Sequence, residues 1–317
     1  PSAPSRSDVS DTASSGADAP TRSRKELKKE AKKPAKQARR QQKAESASRK
    51  SFGDRVRSLL LTACVLVFVC CLGYLGYYYY HSAQNRSYYV SMRDLYENPG
   101  LLPPAGYPAD YDSSFWALWQ VNPDVVGWVS IEGTDLDYPV VQTDDNTTYY
   151  RTDFKGEYSE HAVPFVDCNV DLKEPSTNTI IYGHNIKTDG QMFNILKGYQ
   201  DISFLQQHPV IEFNSVYHEG TYKIFSVFIT NTRPEHGEIF PYHEFTDAKD
   251  AAEAQQYIND VLVRSIYRTG VDVQPSDELL TLSTCLDEDR LVILARRQRE
   301  GENKASLREI VNMAVRQ

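Results

Sequence analysis

Cysteine is scarce in this chain. Of five in 317 residues, Cys64, Cys70 and Cys71 fall inside one apolar run, and only Cys168 and Cys285 lie outside it. Two thiols make at most one bridge, which excludes a disulfide framework. They are far apart in sequence and lack C-x-x-C spacing, so they do not form a cysteine-based metal centre. There is no internal repeat, which excludes a repeat array. Large apolar residues are nearly absent from residues 1–50, which are rich in Ser, Ala, Lys and Arg. Such a segment cannot bury a core and reads as disordered. Within it, "RSRKELKKEAKKPAKQARRQQK" has the composition of a transient helix, interrupted by Pro34.

Charge is missing altogether from "LLLTACVLVFVCCLGYLGYYYY", Leu59 to Tyr80. As a helix this run is about 33 Å long at about 1.5 Å per residue, enough to cross a bilayer core. Its three cysteines read as small apolar filler. On either side the charge differs in sign. Residues 1–20 carry −2, residues 21–57 carry +11 and the whole chain −8, which leaves −17 on residues 58–317. A basic head on an acidic body points to two compartments. The positive-inside rule puts the head in the cytoplasm and everything after Tyr80 outside, with Tyr77 to Tyr80 at the outer interface. A cleaved signal peptide fits poorly, because the polar head and the apolar run are both too long and no small-x-small site follows. The basic run beside the span is expected to meet anionic lipid, at about 1 kcal/mol per nearby charge, and not nucleic acid.

Beyond the span, "HSAQNRSYYVSMRDLYENPG" predicts a short helix ending near Pro99-Gly100, followed by a Pro-rich connection, "LLPPAGYPAD". "SSFWALWQV" predicts a helix that stops before Pro123, with Trp116 and Trp119 at helical spacing in the core, and Val125 to Ile131 a strand. Seven further runs read as strands: "LDYPVVQ", "HAVPFVD", "NTIIYGH", "VIEFNSV", "GTYKIFSVFIT", "ELLTLSTC" and "RLVILARR". Many short strands separated by turn signals point to a closed barrel or a sandwich. "DAKDAAEAQQYINDVLVRSIY" predicts one longer helix, "GQMFNILKGY" a shorter one, and "KASLREIVNMAVRQ" a terminal amphipathic helix.

An exported cysteine that stays unpaired needs a reason. A nucleophilic cysteine requires a base and a stabiliser for the tetrahedral oxyanion. Seven histidines are available: His81, His161, His184, His208, His218, His236 and His243. His184 differs from the rest because "YGHN" follows "TIIY" directly, at a strand end where Gly183 permits a tight turn. Arg290 opens the strand after Cys285, with four residues between, a spacing that suits a hairpin loop and sets the two side chains across from each other. Arg290 then has the donors for a developing oxyanion. Cys168, at another strand end, reads as a small apolar filler.

"TLSTC", "IIYGHN" and "RLVILARR" resemble the signatures of sortases, the membrane-anchored cysteine transpeptidases of Gram-positive bacteria, in the order His, Cys, Arg. "NPDVVGWVSIEGTDLDYPVVQTDDNTTYYRTDF" is similar to the opening of a sortase domain, and "NTIIYGHNIKTDGQMFNILKGY" and "RSIYRTGVDVQPSDELLTLSTC" resemble class B. The resemblance covers about Trp116 to Arg297. It implies a mainly β fold with helices (α+β): an eight-stranded sortase β-barrel with an N-terminal helical extension and a long helix before the last strands, plus one transmembrane helix. It implies His184 as general acid and base, Cys285 as nucleophile and Arg290 as oxyanion or substrate-orienting group. Asn146, Tyr150, Ser283 and Thr284 match positions of the sorting-signal groove, and the backbone N–H of Leu286 completes the oxyanion site. No cofactor and no metal are implied.

The implied reaction is cleavage of a C-terminal sorting motif and transfer of the acyl group, through a thioester, to an amine of a peptidoglycan precursor. The partners are therefore sorting-signal-bearing surface proteins and the precursor. The chain departs from several class B relatives in having Leu286 where they have an acidic residue, a short loop before Arg290 and a longer Asn231 to Phe245 wall. The sorting motif stays open. Rival readings are a pilin-polymerising sortase, a cysteine hydrolase and an inactive membrane-tethered peptide-binding module. The expected organisation is a disordered basic cytoplasmic tail (1–57), a single-pass plasma-membrane anchor (58–80), an extracellular linker and helix (81–114), the catalytic domain (115–300) and a helical tail (301–317).

Overall fold

Short β-branched and aromatic runs that bury one face each need a partner sheet, and here the sheet closes on itself. The computed structural model describes residues 34, 36–45, 52–303 and 309–317. The strands are β1 (Val125–Ser130), β2 (Asp137–Val141), β3 (Phe165–Val166), β4 (Asn178–Tyr182), β5 (Val210–Ser215), β6 (Thr221–Thr230), β7 (Tyr267–Arg268), β8 (Leu279–Leu286), β9 (Asp289–Arg297) and β10 (Val315–Arg316). Eight of them form a closed barrel in the order β1-β2-β3-β4-β8-β9-β6-β5. This is the predicted eight-stranded architecture. Most neighbours are antiparallel, but β2 pairs with β3 and β4 with β8 in parallel. Among the described residues, closure leaves no edge strand within the barrel.

Burial follows the layers. β5 alternates strictly between buried and half-buried residues, as a strand with one solvated face does. β6 is buried almost throughout, because helix α4 (Ala251–Arg264) covers it with Ala254, Tyr257, Ile258 and Val261. That helix starts where its sequence says it will. Asp250 caps the Glu253 amide at 2.8 Å, and the Glu253 carboxylate reaches back to the Lys249 amide at 2.7 Å. Such a cap contributes about 1 kcal/mol.

The chain divides into two compact units, Pro1–Tyr77 and Tyr78–Gln317. One helix, α1 (Phe52–Glu97), runs for 46 residues, so the apolar run and the predicted short helix after it are a single element. Between Tyr80 and Glu97 there is no glycine or proline to break it, and it ends only where Pro99 disfavours helical geometry at Asn98. By length and composition it can cross a membrane, and none of its apolar window is buried. In the second unit, Tyr89 and Tyr96 dock edge-on against Tyr138 at 5.1 Å and flat on Trp128 at 4.9 Å. Helices α2 (Trp116–Val121) and α3 (Ile202–Gln207) are short.

Three other expectations change. "GQMFNILKGY" forms a 3-10 helix, Phe193–Gln200, not an α-helix. The terminal segment is helical at 309–312 but ends in β10, paired with β7, because Val311 and Ala314 bury here and the last residues take the open edge of β7. Most of the basic tail and residues 304–308 lie outside the described residues. Residues 36–45 of that tail, expected to be disordered, are helical, in keeping with their Lys, Gln, Ala and Arg content.

Near the far end of β9 a buried ion network replaces apolar packing. Arg296 is 1% exposed and grips Glu302 with both terminal nitrogens, at 2.7 and 2.6 Å, while its Nε donates to Asp272 O at 2.7 Å. Lys223, 2% exposed, lies 3.2 Å from the same Glu302 carboxylate. Hydrogen bonds from Arg296 hold the Glu302 carboxyl down to about 2. A carboxyl depressed in the folded state contributes stability above its unfolded value of about 4.3, lost as pH falls through the folded value. Glu302→Gln is therefore expected to lower Tm at pH 7 by about 5 °C. The deficit against wild type shrinks as pH falls from about 4.3 and vanishes near about 2; thermal melts across that range measure it.

Candidate active site

The parallel pair β4 and β8 sets the site. Tyr182 stands opposite Ser283, and the Gly183 amide continues the ladder to Ser283 O at 3.1 Å. The chain then carries His184 past the end of β4 beside the Cys285 end of β8. Gly183 reads from the sequence as permitting a tight turn, but its φ is not positive, so a left-handed turn is not what requires it. A Cβ at this position would lie 2.4 Å from the ring of Phe193, so glycine is required by close approach. Phe193 is fully buried, and its amide bonds His184 O at 2.8 Å.

The β8–β9 hairpin brings in the arginine. The ladder runs as far as Leu286 opposite Asp289, so the connection is a two-residue turn, Asp287 and Glu288, and Cys285 is directly paired with Arg290. Asp287 has φ 53°, a left-handed conformation that aspartate tolerates and that two-residue hairpins need. Exposed cations pin this acidic turn from both sides. Lys187 pairs with Asp287, and Arg233 reaches Glu288 at 3.0 Å.

His184, Cys285 and Arg290 line one cleft of about 390 Å³. His184 Nε2 donates to Tyr150 O at 2.8 Å. A carbonyl only accepts, so in the neutral ring the proton is on Nε2 and Nδ1 is the base. Burial lowers the His184 pKa below its usual value, the Tyr150 bond opposes this, and the Arg151 and Arg290 charges lower it further. The imidazole is thus held neutral, with Nδ1 unprotonated. Arg290 Nη1 donates to Asp289 O at 3.3 Å, a long contact that engages one of the five guanidinium donors.

The other sequence-predicted residues divide. Asn146, Tyr150, Ser283 and Thr284 line the cleft. The polar side-chain groups of Asn146, Ser283 and Thr284 are engaged inside the protein. Asn146 donates to Asp167 Oδ2 and accepts from the Cys168 amide, both at 2.9 Å. Ser283 shares a 2.6 Å hydrogen bond with the Tyr242 hydroxyl, and Thr284 Oγ1 donates to Gly183 O at 2.7 Å. Leu286 does not line the cleft; its side chain packs on the core. Its amide points away as well. Asn185 Nδ2 donates to Cys285 O at 2.7 Å, and across a trans peptide the following N–H points the opposite way, toward β9. Arg290 is left as the charged donor beside Cys285.

Sequence reasoning missed several groups here. Asp167, 2% exposed, accepts from Asn146, from the Tyr182 hydroxyl at 2.8 Å, and from the Asn169 amide and side chain. It fixes one wall of the cleft, and nothing in "FVDCN" distinguishes it from a solvated loop acid. Phe165, Tyr182, Ile239 and Phe240 supply apolar wall, and Asn231, Thr232 and His243 supply polar rim. The length of the wall segment is visible in the sequence; which of its residues face the cleft is not. His161 is held away from this role by a 2.6 Å hydrogen bond between its Nε2 and Asp189 Oδ2. Cys168 lines a separate cleft, and burial beside Asp167 raises its thiol pKa, which suppresses its nucleophilic form. Among the described residues, no group of three or more His, Cys, Asp or Glu is arranged to hold a metal.

A closed barrel presenting a thiol, a neutral imidazole and a guanidinium on one cleft is the framework of a cysteine acyltransferase. The sortase-domain profile matches residues 129–298. Sortase B of Staphylococcus aureus is 33% identical over 187 residues, 57% of this chain and 73% of that protein. Sortase B of Listeria monocytogenes is 36% identical over 168 residues, 53% of this chain and 65% of that one. In structure, the sortase B–substrate complex of Staphylococcus aureus superposes with a TM-score of 0.59 at 28% identity, covering 69% of this chain and 99% of that one. The chain belongs to the sortase family, cysteine transpeptidases, and its relatives are of class B. The eight-stranded barrel read from the sequence is theirs.

The His184 environment makes a measurable statement. In an NMR titration of the imidazole, the midpoint should fall below the ordinary 6.5, with nitrogen shifts of the Nε2–H tautomer. Arg151→Ala removes a repelling charge and should move the midpoint upward. A wild-type midpoint at or above that ordinary value contradicts the geometry.

Proposed function

We propose that Cys285 is the nucleophile, His184 the general acid and base, and Arg290 the oxyanion donor of a class B transpeptidase. One observation carries the assignment: Cys285 and Arg290 are directly paired across a two-residue turn, and His184 lines the same cleft. The thiol, with a free pKa of about 8.5, gives its proton to His184 Nδ1. The thiolate attacks the scissile carbonyl carbon, forming the C–S bond, and the carbonyl oxygen takes up the displaced electron pair. Arg290 N–H groups donate to that oxyanion. The C–N bond then breaks, with the His184 proton going to the leaving amine. An acceptor amine attacks the thioester and gives its proton to His184. The C–S bond breaks, and the thiolate returns.

The donor substrate is a sorting-signal peptide of surface proteins, and the acceptor is an amine of a peptidoglycan precursor. Support comes from the relatives: one sortase B is known as a substrate complex and another in complex with triglycine. Asn146, Ser283 and Thr284 shape the groove more than they donate to it, because their neighbours already engage them, and Tyr150 adds a half-exposed ring to the same groove. The apolar span of α1 is the anchor, single-pass, with the basic tail cytoplasmic on anionic lipid and the catalytic unit extracellular. The boundaries are those of the sequence: tail 1–57, anchor 58–80, linker 81–114, catalytic domain 115–300 and tail 301–317.

The test is full-length protein in detergent micelles with a library of sorting-motif peptides and triglycine. Mass spectrometry should find an acyl-enzyme on the Cys285 peptide and an amide-linked product. Cys285→Ala should abolish both, and Arg290→Lys should lower kcat about a hundredfold. A product that persists in Cys285→Ala, or water as the sole acceptor, overturns the assignment.

A further inference from the structure

The backbone ladder between β4 and β8 ends one residue before the base and two before the nucleophile. Its last bond is Gly183 N–H to Ser283 O. The chain of β4 then turns off, and Asn185 pairs with Met192 in an isolated bridge. Two side chains extend the contact where the backbones no longer can. Thr284 Oγ1 donates to Gly183 O, and Asn185 Nδ2 donates to Cys285 O, each at 2.7 Å. The second bond ties the residue that follows His184 to the backbone of Cys285 itself.

Asn185 is oriented from behind. Asn194 Nδ2 donates to Asn185 Oδ1 at 2.6 Å and also reaches Ile186 O at 3.1 Å. Asn194 stands on the 3-10 helix whose Phe193, Leu196 and Tyr199 are fully buried. Cys285 O can only accept, so the carboxamide must present its nitrogen there and its oxygen to Asn194. A side chain with one donor and one acceptor at this reach is needed; a carboxylate lacks the donor and an aliphatic chain lacks both.

We propose that Asn185 is a positioning residue for acyl transfer: it holds the backbone of the nucleophile at a fixed distance from the loop that carries the base. It touches neither substrate nor reacting atoms, and it acts through the alignment of His184 with Cys285. The proposal rests on the roles assigned to those two residues, and the experiment separates the two claims.

Full-length protein in detergent micelles is treated with iodoacetamide at pH 7. Alkylation is followed on the Cys285 peptide alone by mass spectrometry, and thermal melting checks the fold. Four proteins are compared: wild type, N185A, H184A and the double variant. The loss of one hydrogen bond that aligns a base is expected to slow alkylation in N185A about tenfold. In the H184A background the same substitution should change nothing, because the residue acts through the imidazole. An unchanged rate in N185A, or an equal loss in both backgrounds, overturns the positioning role while leaving the base assignment intact. A wild-type rate in H184A overturns the base assignment and this inference with it. Should N185A not fold, N194A, which frees the carboxamide to rotate, is read in the same two backgrounds.

Discussion

The parallel register between β4 and β8 is the constraint on which the site depends. Parallel strands need a long crossover, so Tyr182 and Ser283 meet only after the chain has built β5, β6 and α4. Once that register is set, the ends of both strands fall side by side, and the residues just beyond them have nowhere else to go. The antiparallel β8–β9 hairpin then adds the guanidinium locally. An imidazole from a distant part of the sequence and a guanidinium from five residues away are brought to the cleft of one thiol by two kinds of pairing. Ring closure of the barrel makes both rigid, because neither β4 nor β9 is an edge.

Much of this was legible in the chain itself. Strand positions followed from β-branched and aromatic runs. The opposition of Cys285 and Arg290 followed from spacing alone, although the turn is tighter than the four-residue loop that spacing suggests, since Leu286 and Asp289 remain in the ladder. What was not legible depends on contacts between distant segments. Gly183 looked like a turn residue, and only the Phe193 ring reveals why it lacks a side chain. Leu286 looked like an oxyanion donor until the Asn185 bond to Cys285 O fixed the peptide plane. Asp167 shows locally only a bond to Asn169, as a solvated loop acid would; the partners that make it part of the cleft wall come from 15 and 21 residues away. The continuity of α1 was hidden by a change of composition at Tyr80 without a change of propensity.

The cleft has an uneven character that bears on recognition. Its floor is polar by composition, yet Ser283, Thr284 and Asn146 are already hydrogen-bonded within the protein. Ligand contacts on that floor are therefore mostly a matter of shape. The rim is polar too, and there Asn231 Nδ2 donates to His236 O at 2.9 Å and Thr232 Oγ1 to Glu288 O, while His243 stands beside them on the long wall segment.

The acidic turn of Asp287 and Glu288 has a mechanical meaning. Its ties to Lys187 and Arg233 are ion pairs whose partners are all half exposed or more. Such exposed pairs contribute little to stability, and salt at physiological strength screens them over about 8 Å. The hydrogen bonds beneath, from Asn185 and Thr284, are short and partly shielded. The site is therefore held at its base by shielded hydrogen bonds, while at its lip screened ion pairs and the Thr232 hydrogen bond to Glu288 O tie the turn to its flanking loops.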